Sequence, residues 1–203
     1  MPHRSDTAGA VALAAAGALF VLYPAVRPYG DLDPATAAAA FASPAWLVAH
    51  LAAVAAFLLT GFGLVALTRG RRGLRVATAL WWTAAGATIA YYGAETFALH
   101  ALGGLVTDPQ RLAALAEAVR MGPVQVTLFG AGLAGLAVSA VLVAVALGRD
   151  AVPFAAGMVL FLPQFFAPPG LRIAHGVLLG VGCAVLAVRL ATRPAVREPA
   201  PAA

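Results

Sequence analysis

The chain has 203 residues, of which 62% are hydrophobic and only 10% charged, far from the roughly half apolar and quarter charged makeup of a soluble domain. That composition excludes an ordinary soluble protein and points to a multi-pass protein of the cell membrane, with the lipid bilayer as its constant partner. The formal charge of +5 comes wholly from arginine, and the arginines stand at the ends of apolar runs instead of forming a basic stripe interleaved with aromatics, so no nucleic-acid partner is expected.

The first apolar run, 7–26, follows Arg4 and resembles a signal peptide, but further apolar runs follow at once, and it reads as an uncleaved first span. The apolar stretch from Pro34 to Thr68 would reach about 50 Å as one helix, too long for a single crossing. Two helix starts, Asp33 before Pro34 and Ser43 before Pro44, divide it into a short surface helix over about 35–42 and a second span over 44–68. A third span, 76–102, follows an arginine-rich link. The next loop repeats the device: Asp108 and Pro109 open a segment whose Leu112, Leu115, Ala116 and Val119 share one face, while Arg111, Glu117 and Arg120 are more exposed. Spans four (123–147), five (151–167) and six (171–191) complete an all-α bundle of six transmembrane helices in one domain over 1–193, with short interfacial helices in the outer loops and a disordered tail over 194–203. Pro163 interrupts span five, and Gln164 is placed to repair the freed backbone.

Orientation follows from arginine in the short loops. Nine (Arg4, Arg69, Arg71, Arg72, Arg75, Arg149, Arg189, Arg193 and Arg197) fall on one side and four (Arg27, Arg111, Arg120 and Arg172) on the other. The richer side is cytoplasmic by the positive-inside rule, which puts both termini inside. Gly176 with Gly180, and Ala131 with Gly135, are small-residue pairs that serve either packing within one chain or a homo-oligomer through the Gly176/Gly180 face. Trp46, Trp81 and Trp82, close to span ends, suit aromatic belts. Cys183 is the single cysteine, which rules out an internal disulfide.

Depth gathers the polar residues into one layer at the outer side: His50, Glu95, His100 and His175, with Tyr91, Tyr92, Gln125, Gln164 and Arg172 nearby. His3 belongs only to the N-terminal tail. Ionisable groups at membrane depth are costly and point to function by default. Glu95 shares a face with Tyr91 and Tyr92, whereas His100 is turned about 140° from it. Arg172 and His175, three apart, can face a common cavity. The expectation is an outward-facing pocket built by His50, Glu95 and His175, with His100, Tyr91, Tyr92, Gln125 and Arg172 secondary. Its chemistry is open among three alternatives: His50, Glu95 and His175 ligating zinc, two histidines ligating haem iron, or a Glu/His pair acting on a small lipophilic substrate. No motif such as HExxH or CxxCH selects one, so an enzymatic role is undecided. Taken singly, each histidine is better read as a hydrogen-bonding tie between helices, whereas Glu95, the one acid within the spans, is as readily functional as it is a protonated group or a packing partner of Arg172. A non-catalytic accessory or scaffold protein and a small proton-coupled transporter are the rival functions.

The strings AVRPYGDLDP, FASPAWLVAH, YYGAETFALH and FLPQFFAPPGLRIAHG resemble those of small polytopic membrane proteins of actinobacteria, over most of the chain. That resemblance implies the membrane fold and brings no catalytic residues with it. Seven-span membrane hydrolases related to alkaline ceramidase also use histidines and acids for zinc, but their paired C-terminal histidines have no counterpart here.

Overall fold

The computed structural model describes residues 4–68 and 71–193. His3, Arg69, Arg197 and the tail expected over 194–203 lie outside the described residues. Among the described residues eight α-helices follow one another: α1 (Arg4–Val26), α2 (Ala37–Ala42), α3 (Pro44–Leu67), α4 (Arg72–Leu105), α5 (Pro109–Met121), α6 (Pro123–Leu147), α7 (Val152–Val159) and α8 (Pro169–Ala191). Short 3-10 turns at Tyr29–Leu32, Arg149–Ala151 and Pro163–Phe166 join them, and no strand occurs among the described residues. The protein is all-α. By length and composition, Asp6–Val26, Pro44–Leu67, Pro123–Leu147 and Pro169–Ala191 can each cross a membrane, as expected of a membrane protein.

The helix starts form for local reasons. Ser43 is extended and its hydroxyl accepts from Trp46 N, while Pro44 occupies the first turn, where a missing N–H costs nothing. Asp108 does the same for α5 through Gln110 N at 3.0 Å, again with proline following. Asp33 accepts from Ala35 N at 2.9 Å, although regular α2 begins only at Ala37.

Six helices close into a ring in the order α1, α3, α4, α6, α7, α8 and back to α1. Aromatic rings fill its middle: Phe20 meets Phe57 and Phe161, Phe57 meets Trp81 and Tyr92, and Trp81 meets Phe154. The outward faces carry exposed Val48, Phe62, Val138, Val145, Val177 and Val188. An outer surface this apolar needs lipid or another apolar partner.

α4 differs from the four apolar helices. At 34 residues it is about 51 Å long, and it carries threonines whose cost is met internally: Thr78, Thr83, Thr88 and Thr96 each donate to the carbonyl four residues earlier. Its last turns reach beyond the main core into a second one, where Leu99 packs with Ala37 and Phe41 of α2, Trp46 of α3, and Leu112 and Ala116 of α5. The two loop helices therefore cap one end of the bundle. Leu112 and Ala116 are buried as their spacing predicts, but Arg120 turns in towards the bundle instead of out.

Two further expectations change, and the Gly176/Gly180 pair, open between two uses, packs within the chain. Span five is not one continuous helix: α7 stops at Val159, and the chain continues by a turn into Pro163–Phe166. Trp46 and Trp81 are fully buried, not belt residues, because their indole N–H groups donate to Thr96 O at 3.2 Å and Phe57 O at 3.0 Å, tying α3 to α4. The Gly176/Gly180 face is taken up inside the chain. A Cβ at Gly176 would stand 2.7 Å from Phe20 O, and one at Gly180 3.3 Å from Gly17 O, so these glycines let α1 and α8 approach backbone to backbone.

Candidate functional site

Where α1 ends, Pro24 and Pro28 remove two backbone donors and the chain folds over the bundle as the turn Tyr29–Leu32. The Tyr29 hydroxyl pins this turn by donating to Pro24 O at 2.7 Å. Arg27 and Asp31, four residues apart, are thereby buried side by side, with Arg27 Nη2 2.7 Å from Asp31 Oδ2. The last turn of α5 brings Arg120 to the same place. Its Nη2 lies 2.8 Å from Asp31 Oδ2 and its Nε 2.8 Å from Glu95 Oε1. The result is an alternating chain, Arg27, Asp31, Arg120, Glu95, which joins the turn after α1, α5 and α4. The guanidiniums also stack on apolar neighbours, Arg27 over Trp46 and Arg120 over Phe41 and Trp46.

The electrostatics follow from burial and pairing. Burial alone would push the Asp31 carboxyl up, but Arg27 and Arg120 together outweigh it and hold the group below its ordinary value. Burial likewise works against the charge on Arg27, and Tyr23 and Asp31 more than offset it, so its pKa rises. Tyr29 is raised, chiefly by burial.

Beside this chain lies a cavity of about 310 Å³, at the lower end of the range for small-molecule sites. Arg27, Asp31, Glu95, Arg120 and Arg172 supply its charged part, and Tyr91, Val126, Phe129, Leu162, Phe165 and Phe166 its apolar walls. Tyr91 stacks on Phe129 with centroids 4.1 Å apart. Arg172 is buried, donates from Nε to Ala167 O at 2.8 Å and from Nη2 to Phe165 O, and stands over the Tyr29 ring. Among the described residues no carboxylate pairs with it. Three cations against two anions leave the cavity with one positive charge in excess.

The expected layer is thus only partly assembled. Glu95, Tyr91 and Arg172 line the cavity, while Tyr92 turns inward and donates to the Tyr23 hydroxyl at 3.2 Å, which also accepts from Arg27 Nη1 at 3.4 Å. His50 is fully buried between Trp46, Tyr23 and Tyr92. Its Nδ1 lies 2.8 Å from Trp46 O. A carbonyl only accepts, so Nδ1 carries the proton, and Nε2 is buried without a partner among the described residues. His100 Nδ1 donates to Phe41 O at 2.8 Å and ties α4 to α2. Gln125 reaches only Ala118 O, at 3.4 Å, at the α5–α6 junction.

His175 belongs elsewhere. In the break after α7, Phe161 N bonds Met158 O, which leaves Gly157 O free, and His175 Nε2 donates to it at 2.7 Å. His175, not Gln164, therefore repairs the break, and Gln164 Nε2 is buried without a partner among the described residues. Arg172 and His175 open onto different spaces. Among the described residues no three His, Cys, Asp or Glu side chains are grouped as a metal ion would require, so His50, Glu95 and His175 do not form the ligand set considered for zinc. Glu95 pairs with Arg120 instead of Arg172.

Arg27 and Arg120 enter the sequence reading only as charges outside the spans, and Asp31 is given no role there. The i,i+4 spacing of Arg27 and Asp31 between prolines, in a chain with so few charges, was the available signal. Comparison with family models, curated proteins and solved structures gave no match to this chain.

Proposed function

We propose that this is an integral membrane protein of six spans with both termini cytoplasmic, whose cavity at the outward end binds a small lipophilic molecule carrying an anionic group. The cavity itself carries the reading: apolar and aromatic walls meet a charged end where Arg172 has no carboxylate partner among the described residues. Buried polar groups placed in an otherwise apolar pocket fix the orientation of a ligand, and the excess cation selects its sign.

The six-span arrangement is supported by the closed ring and by the fifth segment, whose start, Asp150, pairs with Arg189 near the end of α8 and whose Phe165 meets Arg172 near the start of α8. Orientation rests on the nine-to-four arginine asymmetry. In this arrangement α2 and α5 lie at the outer interface.

One observation favours a second reading. Arg27, Asp31, Arg120 and Glu95 neutralise one another, as the clamp of a non-catalytic scaffold would. Calorimetric titration of the purified protein with a medium-chain carboxylate, and with the alcohol and trimethylammonium of equal chain length, separates the two. The ligand-binding reading expects saturable binding of the carboxylate alone, weakened about tenfold or more in Arg172→Gln, as for loss of a charge-assisted bond. Equal affinity for all three amphiphiles would leave only the scaffold.

A further inference from the structure

Glu95 of α4 and Arg172 of α8 line the charged cavity from two helices that are not neighbours in the ring, and no ion pair joins them. Both are buried, at 9% and 8% exposed. Arg120 Nε takes Glu95 Oε1, and Arg172 uses Nε and Nη2 on the carbonyls of Ala167 and Phe165. Glu95 Oε2 and Arg172 Nη1 are left without a hydrogen bond among the described residues. Neither is sealed in, because the unpaired side-chain atoms without accessible surface among those residues are Arg27 Nε, His50 Nε2 and Gln164 Nε2. Glu95 Oε2 and Arg172 Nη1 therefore keep accessible surface, and on side chains this buried it faces the cavity that both line. Asp31 is placed differently. Its Oδ2 already holds two arginines, its side chain is 2% exposed, and it borders a further concavity between α2 and α5.

An ionised carboxylate accepts at both oxygens, and a guanidinium donates from every nitrogen. The charged end of the cavity thus offers an idle donor on a cation and, apart from it, an idle acceptor on an anion. A plain carboxylate amphiphile serves only the first, and it brings its own charge towards Glu95 Oε2, which costs binding as like charges do. A hydroxyl carried beside the carboxylate serves the second. An ammonium there would also pair with Glu95, but the ligand would then be neutral overall, and the excess of three arginines over two carboxylates would stay uncompensated. Because the two anchors stand on helices that are not neighbours, the hydroxyl belongs on the third carbon; on the second it lies against the carboxylate itself.

We infer that the ligand of this cavity is a 3-hydroxylated carboxylate amphiphile: its carboxylate accepts from Arg172 Nη1, its hydroxyl donates to Glu95 Oε2, and its chain lies along Tyr91, Phe129 and Phe165. Glu95 is then a specificity-determining residue as well as a member of the ion-pair chain. The inference rests on the reading of the cavity as an anion site and adds to it a second polar anchor. Two fixed anchors and a chain direction define three points, so the site distinguishes the two enantiomers of such a ligand.

The test is calorimetric titration of the full chain, in micelles of an achiral detergent, with decanoate, each enantiomer of 3-hydroxydecanoate, and 3-aminodecanoate. Enantiomers partition into such micelles identically, so any difference between them is read from the protein. One enantiomer is expected to bind about tenfold more tightly than decanoate and than its mirror image, the effect of one hydrogen bond to a charged acceptor. The amino acid should bind no more tightly than decanoate. In Glu95→Gln the amide oxygen still accepts from Arg120, while an NH2 group replaces the free acceptor; the enantiomer difference should vanish and decanoate should bind more tightly, because the facing charge is gone. A merely disrupted cavity would weaken every ligand instead, and the wild-type enantiomer comparison stands without the variant. Saturable decanoate binding with both hydroxy acids equal to each other would overturn this inference and leave the anion site in place, whereas no saturable binding of any of the four would overturn both. Tightest binding by the amino acid, or an enantiomer difference that survives Glu95→Gln, would also overturn it.

Discussion

Replacing Arg120 by glutamine tests whether the end of the bundle is held by charge. Arg120 makes two bonds of 2.8 Å, to Asp31 and to Glu95, with its side chain 16% exposed and theirs 2% and 11%. A hydrogen bond to a charged group contributes about 1.5–3 kcal/mol, and breaking one partner out of a buried ion pair costs about 3–5 kcal/mol because the other charge is left behind. Asp31 keeps Arg27, and Glu95 keeps some access to water, which places the expected loss at the lower end, about 3 kcal/mol. The exposed Arg111 on the same helix is the control, where glutamine should change stability by less than about 0.5 kcal/mol. Equilibrium unfolding in mixed micelles reads both. In the double variant Arg120→Gln/Glu95→Gln the loss should be smaller than the sum of the singles by about 1.5 kcal/mol, since the uncompensated carboxylate is gone. A loss for Arg120→Gln no larger than that for Arg111→Gln would refute the clamp.

Asp31 sets a pH dependence of definite sign. Its folded pKa lies below the ordinary 3.8, so its contribution is present above that value and disappears as pH falls through the folded pKa; thermal stability should be flat from about pH 8 to about pH 5 and drop below about pH 4, with the drop reduced in Asp31→Asn. Gly176→Ala should destabilise the bundle by more than about 1 kcal/mol, because its Cβ meets the Phe20 carbonyl, whereas Gly86→Ala, with open space around it, should be neutral or stabilising in the same unfolding experiment. Neither should change the oligomeric state measured by light scattering, as the Gly176 face is already filled by α1. His175→Leu should cost about 1–3 kcal/mol by orphaning Gly157 O, with His175→Gln recovering part of it; equal losses for the two would contradict the repair role.

The helical architecture was legible in the sequence because its signals are local. Ser43 with Pro44 and Asp108 with Pro109 mark helix starts within one turn, and those caps form as spaced. The site was legible only in part. Glu95, Tyr91 and Arg172 were found by their presence at the edges of apolar runs, but depth alone cannot say which way a side chain turns. His175 follows Arg172 by three residues, yet the break after α7 offers it a free carbonyl and draws it to the opposite side of the segment. Arg120 sits on the polar side of an amphipathic helix, where a charge normally meets water. Its true partners, Asp31 and Glu95, are 89 and 25 residues away in sequence, and only the packing of α5 on the end of α4 brings them together. The tryptophans were misread for a related reason. Proximity to a span end suits a belt, but Trp46 lies where the second core covers it.

The claim that the charged cavity holds an anionic amphiphile is tested most directly by photolabelling with a medium-chain carboxylic acid bearing a diazirine on its chain, followed by peptide mapping. The account predicts label concentrated on Tyr91, Val126, Phe129 and Phe165, displaced by unlabelled carboxylate and lost in Arg172→Gln. Label spread over the outward-facing Val138, Val145 and Val177, unchanged by competitor or by Arg172→Gln, would contradict it.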